Sequence, residues 1–440
     1  MSMLMPSLDT SIANVGLPAL AQAFNASFQQ VQWIVLAYLL AITTLIVSVG
    51  RLGDIVGRRT LLLVGICLFT VASLLCGVAP TLMLLIVARA VQGLGAAVMM
   101  ALTVALVGET VPSAKTGSAM GLLGTMSAIG TTLGPSLGGV LIAGFGWRVI
   151  FLVNVPLGIL NFLLAYRYLP NTGSKADRRG FDSAGTLLLA LTLGTYALAM
   201  TPFNANLLLV AALGAGLFVL VEAKAASPLI RLTMFRSPVL SASLVMSTLV
   251  STVMMATLVV GPFYLSHALK LQAAAVGVVM SAGPLTAALT GIPAGRIVDR
   301  FGAPRTTLAG LVAMAAGCVT LSMMPTTMSI AGYIAPIVVT TAGYALFQAA
   351  NNTAVMTEIL PDQRGVISGM LSLSRNLGLI TGASMMGAVF ARASAAGDFT
   401  TGMRATFSVA AILIAVALAI TVGTRARSRA MVQESIQSAT

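Results

Sequence analysis

The amino-acid sequence predicts an all-α polytopic membrane protein with fourteen transmembrane helices, arranged as two six-helix bundles related by a parallel repeat plus a two-helix insert. The composition, the spacing of the apolar segments and an internal repeat predict this fold. Of the 440 residues, 58% are hydrophobic and 8% are charged, whereas a typical soluble domain carries about 25% charged residues. The mean hydropathy is +0.99. Such a chain cannot build a water-facing surface, so a lipid bilayer is its expected surrounding.

Fourteen apolar segments are long enough to cross about 30 Å of hydrocarbon as helices. We number them predicted helices 1 to 14 in chain order. Predicted helices 1 to 6 lie at residues 2–24, 30–50, 60–79, 81–107, 117–145 and 148–168. Predicted helices 7 to 14 lie at residues 184–201, 205–223, 239–266, 273–294, 305–324, 329–357, 366–391 and 403–423. The first segment is predicted to be a retained helix and not a signal peptide, because it has no basic residue and contains Asp9.

The basic residues predict the orientation of these helices. Of the 24 lysines and arginines, 18 fall in loops and the tail on the side of the N-terminus, 4 fall on the other side, and 2 lie inside helices. Because lysine and arginine accumulate in cytoplasmic loops, both termini are predicted to be cytoplasmic. The expected location is the plasma membrane, which is the inner membrane if the source is a bacterium.

An internal repeat relates the two halves of the chain. The sequence GRLGDIVG at 50–57 recurs 245 residues later as GRIVDRFG at 295–302, and ETVP at 109–112 recurs as EILP at 358–361. Predicted helices 2 to 5 therefore correspond to 10 to 13 with the same orientation, a parallel repeat of the kind found in transporters. The predicted domains are the first bundle at 1–169, cytoplasmic loops and the accessory helices at 170–237, the second bundle at 238–424 and a cytoplasmic tail at 425–440.

The residue inventory excludes several function classes. The net charge of +13 does not indicate nucleic-acid binding, because the basic residues punctuate apolar segments and do not form one soluble face. Cys67, Cys76 and Cys318 lie inside apolar segments without metal-ligand spacing, which predicts neither a metal site nor a disulfide. The chain has no ATP-binding P-loop sequence, and its single histidine, His267, has no acidic neighbour in sequence. We therefore expect neither an enzyme nor a cofactor.

Two charged residues deep inside apolar helices are the first candidate functional residues. Asp9 lies within predicted helix 1, where a carboxylate is costly to ionise; a proton site is favoured over a role in helix packing. Arg89 lies about nine residues into predicted helix 4, roughly 13 Å below the surface at 1.5 Å per residue. An arginine remains charged there and needs a carboxylate, carbonyl groups or a wet cavity as a partner. A purely structural ion pair is the alternative.

Polar side chains inside apolar helices are candidates for a substrate cavity, because each must find a partner or a ligand there. Arg375 in predicted helix 13 could equally line such a cavity or hold helices together. The candidate cavity residues are Asn14, Tyr38, Gln92, Gln348, Asn351, Asn352, Arg375 and Asn376.

Five motifs together resemble those of the major facilitator superfamily and, within it, of the fourteen-helix drug:proton antiporters. They are GRLGDIVGRR at 50–59, GTTLGPSLGG at 130–139, LDTSIANVGLP at 8–18, RAVQGLG at 89–95, and the segment from Trp147 through Asn154 to Gly158. The resemblance covers essentially the whole chain. Two positions depart from the family patterns: Ile55 stands where a basic residue is usual, and Ala350 stands where a proline often precedes the paired asparagines.

The resemblance implies roles for three groups of residues. Asp9 and Arg89 would belong to the proton-coupling machinery. Two loops would latch the bundles together on the cytoplasmic side, through Gly50, Asp54, Gly57, Arg58 and Arg59 in the first half and Asp299 and Arg300 in the second. The third group would bend predicted helix 5 against the other half and comprises Gly130, Gly134, Pro135, Gly138 and Gly139. Independently of the resemblance, the four-residue spacing of three of these glycines favours close packing of another helix.

The expected function is proton-coupled efflux of small amphipathic compounds, such as drugs, dyes or antibiotics, by alternating access. The expected partners are a small-molecule substrate, protons and the lipid bilayer, and the protein is expected to act as a monomer. With one clear deep acid, the chain is expected to handle divalent cations poorly. A narrow-specificity exporter of a metabolite or natural product is the alternative, followed by a proton-driven importer.

Overall fold

The computed structural model describes residues 1–110, 113–169, 183–200, 204–224, 237–323, 329–357, 364–395 and 398–437. All regular structure in these ranges is helical. The α-helices are α1 (Leu4–Ala23), α2 (Phe28–Val56), α3 (Arg58–Val78), α4 (Leu82–Thr110), α5 (Ser113–Phe145), α6 (Val149–Leu152), α7 (Asn154–Tyr168), α8 (Ser183–Met200), α9 (Ala205–Lys224), α10 (Pro238–Phe263), α11 (Ala273–Met280), α12 (Ala282–Phe301), α13 (Ala303–Ser322), α14 (Ile330–Thr357), α15 (Arg364–Thr381), α16 (Gly387–Ala393) and α17 (Phe399–Gln437). Two π-helical turns extend α10 and join α15 to α16, at Tyr264–Ala268 and Gly382–Met386.

These helices form fourteen passages within the described residues, because α6 with α7, α11 with α12, and α15 with α16 each make one interrupted passage. Each passage coincides with one of the fourteen predicted segments. Ten passages are long and apolar enough to span a membrane, and the helices at 129–145 and 184–200 are apolar but shorter. The other two passages, α1 and α15 with α16, carry the charged residues Asp9 and Arg375. The fold is thus all-helical and multi-pass, and a full count of fourteen spans stays a prediction.

The two motif segments that the sequence placed in loops are largely helical. α2 continues through Val56 and α12 continues through Phe301, so each motif occupies the last turns of a helix. Only Gly57 and Gly302 separate these helices from α3 and α13, with φ angles of +96° and +81°. Glycine adopts positive φ without the steric cost of a side chain, so the helix stops there and the chain turns at once into the next helix. The same turn occurs in both halves, 245 residues apart.

The helix packing is also repeated. In the first half α1 packs on α5, α2 on α4, and α3 on both α4 and α7. In the second half α10 packs on α15, α12 on α14, and α13 on both α14 and α17. Each second-half pair is the counterpart of a first-half pair, which supports the parallel repeat. Contacts between the halves follow the same symmetry, since α5 meets α11 and α2 meets α15.

The insert hairpin of α8 and α9 contacts both halves through α8. The Thr186 and Ser48 hydroxyls lie 2.8 Å apart, which joins α8 to α2. The Tyr196 and Thr381 hydroxyls lie 2.9 Å apart, which joins α8 to α15. α8 therefore bridges the two helices that meet between the halves.

The halves are in direct contact where α2 begins, which we call the Gln32 end of the molecule. The Gln32 side-chain amide donates a hydrogen bond to the Ala383 carbonyl in the π-helical turn of the other half. Between this end and the centre, the hydroxyls of Ser136 in α5 and Ser281 lie 2.9 Å apart across the halves. The opposite end, where Gly57 turns the chain, is called the Gly57 end.

The glycines of α5 face two different neighbours. A methyl group at Gly130, Gly134 or Gly138 would lie within 3.3 Å of an atom of α1, a helix of the same half. A methyl group at Gly139 would instead lie 3.0 Å from the Cα of Gly277 in the other half. The three-glycine face therefore packs on α1, while Gly139 faces the other half; bending of α5 against the other half stays a prediction. Successive helical residues are rotated by about 100°, so Gly139 leaves the face that the other three share.

Candidate functional site

Asp9 is the centre of a buried cluster between α1, α4 and α7. Its side chain is 1% exposed. The Nη1 of Arg89 donates to Asp9 Oδ2 at 2.5 Å, and Gln92 Nε2 and Asn154 Nδ2 donate to Asp9 Oδ1 at 2.9 and 2.7 Å. We call these four residues the Asp9 cluster. Because three donors converge on one carboxylate, the cluster satisfies the charged form of Asp9.

Arg89 is fully buried and uses its donors in three directions. Besides Asp9, its Nη1 donates to Gln92 Oε1 at 2.6 Å, and its Nε donates to the Ile34 carbonyl of α2 at 3.1 Å. The guanidinium carbon lies 4.1 Å from the ring centroid of Tyr38, also in α2. Removing one partner of a buried ion pair costs about 3–5 kcal/mol, because the other charge is left uncompensated. Arg89 therefore holds α1, α2 and α4 together.

Gln92 extends the cluster to α3. It lies three residues after Arg89, so both side chains project from the same face of α4. Its Nε2 also donates to the Ser73 hydroxyl at 2.8 Å, and that hydroxyl donates to the Phe69 carbonyl at 2.7 Å. Gln92 thus links Asp9 by hydrogen bonds to both α4 and α3.

A break between α6 and α7 brings Asn154 to the cluster. Pro156 has no backbone N–H, so the Leu152 carbonyl cannot receive its helical hydrogen bond, and the helix is interrupted at Val153. Asn154 is the first residue of α7 and is fully buried. Its Oδ1 has no hydrogen-bond partner among the described residues. This carbonyl oxygen is an available acceptor beside the carboxylate.

A central cavity of about 330 Å³ lies between the halves. Pro6, Thr10 and Asn14 line it from α1, at a four-residue spacing that places them on one helix face. Arg375 and Asn376 line it from α15. Asp9 is not among the lining residues. α1 therefore presents one face to the cavity and, through Asp9, another to the ion pair.

The candidate cavity residues named from the sequence separate in the structure. Asn14, Arg375 and Asn376 line the cavity. Tyr38 and Gln92 instead contact Arg89, behind the cavity-facing side of α1.

The amides of α14 do not reach the cavity. Gln348 and Asn352 are absent from its lining, as is Asn351, whose Nδ2 lies 3.4 Å from the Ser243 carbonyl. The lining residues of α14 share one face nearer the start of that helix and are Tyr333, Ile337, Thr341 and Tyr344. Because α14 is apolar around most of its circumference, the sequence did not reveal which face points inward.

Contacts are described for only some of the latch residues named from the sequence. Arg59 Nη2 donates to the Tyr166 carbonyl at 2.6 Å, which ties α3 to α7 of the same half. Asp299 and Arg300 are exposed at the Gly57 end. The contacts of Gly50 and Asp54 are outside what the structure describes, although both positions lie in α2. A latch between the halves therefore stays a prediction.

Sequence reasoning missed Asn154 and Ser73 as members of this network. The available signal for Asn154 was an amide inside an apolar segment two residues before a proline. Ser73 gave no such signal, since isolated serines are common in apolar helices. Within the described residues, no group of three or more His, Cys, Asp or Glu side chains is placed to hold a metal ion.

Comparison with known sequences gives consistent matches over most of the chain. The family model of the Major Facilitator Superfamily matches residues 1–383 and 243–437. The uncharacterized transporter YebQ of Escherichia coli K12 is 33% identical, over 87% of this chain and 85% of its own. The riboflavin transporter RibZ of Clostridioides difficile is 30% identical, over 88% and 86%. The multidrug resistance protein Stp of Mycobacterium tuberculosis is 32% identical, over 87% and 73%.

A solved structure agrees with the sequence comparison. The D-xylose–proton symporter superposes with a TM-score of 0.73, at 16% identity, over 96% of this chain and 94% of that chain. At this identity the likeness shows the fold alone. With the family model matching most of its length and a helical fold shared with solved transporters, this chain belongs to the Major Facilitator Superfamily and is a multi-pass membrane transporter, not an enzyme.

Proposed function

We propose that this transporter is an antiporter that exports small amphipathic compounds in exchange for protons, with Asp9 as the proton site. The observation that carries the proposal is the position of Asp9. It is a carboxylate of 1% exposure, ion-paired with Arg89, on a helix whose next residue, Thr10, lines the central cavity. The similarity to the multidrug resistance protein Stp supports drugs as a substrate class.

Protonation of Asp9 would rearrange the cluster. The carboxylate accepts bonds from Arg89, Gln92 and Asn154, and a proton removes its charge and turns one oxygen into a donor. Arg89 remains charged, so the ion pair is lost while the contacts of Arg89 with α2 remain. The Asn154 Oδ1, unpartnered among the described residues, is the acceptor that a protonated Asp9 needs after rotation of the amide.

α1 would couple this proton step to the substrate. Its Pro6, Thr10 and Asn14 line the cavity, and its other contacts include the glycine face of α5. When the ion pair with Arg89 is lost, α1 is held less tightly to α4, through Gln92 alone among the bonds of the Asp9 cluster, and can shift along the glycine face of α5. Antiport then requires that the proton and the substrate favour different positions of the helices.

The proposal includes the topology predicted from the basic residues. All fourteen passages would cross the plasma membrane of the cell, with both termini cytoplasmic. The Gly57 end would then face the cytoplasm, where Asp54 and Asp299 would serve the latches. The Gln32 end would face outward, and its contacts between the halves would form the outer seal. A monomer is proposed as the transporting unit.

The test is substrate-induced proton release in everted membrane vesicles that contain a fluorescent pH probe. Wild type, Asp9→Asn and Asp398→Asn are compared over a panel of lipophilic cations, neutral antibiotics and organic anions. Asp398 is a matched control acid at the start of α17, where hydrogen bonds from the Thr401 side chain and backbone and from the Thr400 backbone hold its pKa below the usual range. We expect a response in wild type and Asp398→Asn that is lost in Asp9→Asn.

Two results would contradict the proposal. A response that survives in Asp9→Asn would move the proton site to another residue. Failure of every panel member to release protons would reject proton exchange with amphipathic compounds.

A narrow-specificity exporter is the second candidate function. The observation that favours it is the match to the riboflavin transporter RibZ, at 30% identity over 88% of this chain. Riboflavin therefore belongs in the panel, and a response to it alone would favour the narrow function over multidrug export.

A further inference from the structure

We propose that the central cavity selects amphipathic compounds with one negative charge, such as carboxylates, over organic cations, and that Arg375 is the residue that recognises the anion. The inference rests on the proposed function, because it names the substrate class of the same cavity.

The charge inventory of the cavity is the first argument. Arg375 is the one charged side chain among the described residues that line it. Among the described residues Arg375 forms no ion pair, in contrast to Arg89, whose charge is matched by Asp9. The charge that the described lining residues present to a substrate is therefore +1.

Asp9 does not offset this charge. Its carboxylate is absent from the cavity lining and is satisfied by Arg89, Gln92 and Asn154. The Asp9 cluster is thus neutral when Asp9 is ionised and gains a positive charge when Asp9 is protonated. In neither state does it attract a cation to the cavity. A proton on Asp9 and an anionic substrate do not repel each other. Coupling of proton entry to substrate export would accordingly depend on the position of α1.

The chemistry of Arg375 fits a carboxylate. A guanidinium stays charged and presents parallel N–H donors that match two carboxylate oxygens. Arg375 has no ion-pair partner among the described residues, and an anionic ligand would supply one. A cation in the same cavity would meet a like charge in a low-dielectric surrounding.

A second, independent observation points to a ligand in this cavity. Asn14 is 1% exposed, and neither its Nδ2 nor its Oδ1 has a hydrogen-bond partner among the described residues. It lines the cavity from α1, whereas Arg375 and Asn376 line it from α15 of the other half. A buried amide without a partner is costly unless a ligand supplies one. The remaining lining is mostly apolar or hydroxyl-bearing, which suits an apolar body attached to one acidic group.

The test measures equilibrium binding to the purified full-length protein in lipid nanodiscs, without a pH gradient, by isothermal titration calorimetry. The probes are 1-naphthaleneacetate, an anion, and 1-naphthylmethylammonium, a cation with the same ring system. We expect wild type to bind the anion at least tenfold more tightly than the cation. Arg375→Gln should lower the affinity for the anion by about 10- to 100-fold, the range of a hydrogen bond to a charged group. Arg375→Lys keeps the positive charge and should retain part of the affinity for the anion.

The outcomes separate this inference from the proposed function. Asp398→Asn should still bind 1-naphthaleneacetate as wild type does, because Asp398 is absent from the cavity lining. Tighter binding of the cation, binding of neither probe, or unchanged anion affinity in Arg375→Gln would overturn the inference. Proton-driven export of a cationic dye by wild type, together with any of these results, would leave the proposed function standing.

Discussion

Asn154 donates a 2.7 Å hydrogen bond to the carboxylate of Asp9, a residue 145 positions earlier in the chain. The contact exists because the chain breaks between α6 and α7, where Pro156 cannot donate a helical hydrogen bond. It ties the last helix pair of the first half to the same carboxylate that Arg89 binds from α4. The state of Asp9 is therefore linked to both α4 and α7.

Replacing Asn154 by alanine should destabilise the protein and weaken proton release. The variant removes a donor to the buried carboxylate of Asp9, and a hydrogen bond to a charged group contributes about 1.5–3 kcal/mol. Both the melting temperature in detergent and the substrate-induced proton release in everted vesicles should therefore fall. Asn161→Ala is the control, because this amide of α7 bonds to the neutral Ser2 hydroxyl, a contact that contributes about 0.5–1.5 kcal/mol. A loss in Asn161→Ala as large as that in Asn154→Ala would contradict the role of Asn154.

Removing Arg89 alone should destabilise the protein more than removing the whole ion pair. Arg89→Gln leaves a buried carboxylate without its counter-ion, which costs about 3–5 kcal/mol. The double variant Asp9→Asn with Arg89→Gln has no uncompensated charge and should recover part of that loss. Thermal unfolding of the four proteins in detergent completes a double-mutant cycle. Strictly additive effects would mean that the two residues do not interact energetically.

A methyl group on the glycine face of α5 should disable the transporter. At Gly134 it would overlap the Cβ of Ser11 in α1, so α1 and α5 must separate. Overpacking of this kind costs about 1–3 kcal/mol, and the displacement moves Asp9 away from Arg89. Gly134→Ala should lower both the melting temperature and the rate of export. Gly144→Ala is the matched control, because nothing lies within 4 Å of the added methyl there; equal behaviour of the two variants would refute the close packing.

A disulfide between α5 and the other half should lock the transporter. The hydroxyls of Ser136 and Ser281 lie 2.9 Å apart, so cysteine sulfurs at these two positions would lie close to each other. In a background with Cys67, Cys76 and Cys318 changed to alanine, oxidation should cross-link the pair and stop export, and reduction should restore it. Each single cysteine variant should be insensitive to oxidation. Full activity of the cross-linked protein would show that the halves need not separate at this point.

Several features of this protein were predictable because they are local or additive. The composition and the apolar segments predicted a helical membrane protein, since the cost of placing charge in hydrocarbon acts residue by residue. The repeat around Gly57 and Gly302 could be recognised in the sequence because both halves need a glycine at a positive φ in the same turn. Asp9 and Arg89 stood out because charged residues are rare at such depth. Their direct pairing was left open by the sequence, which offered a carboxylate, carbonyl groups or water as partners.

The placement of side chains around the centre was decided only by the tertiary structure. Asn14 and Arg375 face the cavity while Asn351 does not, although all three are polar residues in apolar helices. In a soluble protein the pattern of apolar residues marks the inward face of a helix, but a membrane helix is apolar toward lipid and toward its neighbours alike. Helix rotation is then set by close contacts, such as the α5 glycines against α1, between residues more than 100 positions apart. The sequence by itself determined which residues are exceptional, and the packing of the helices decided which of them meet.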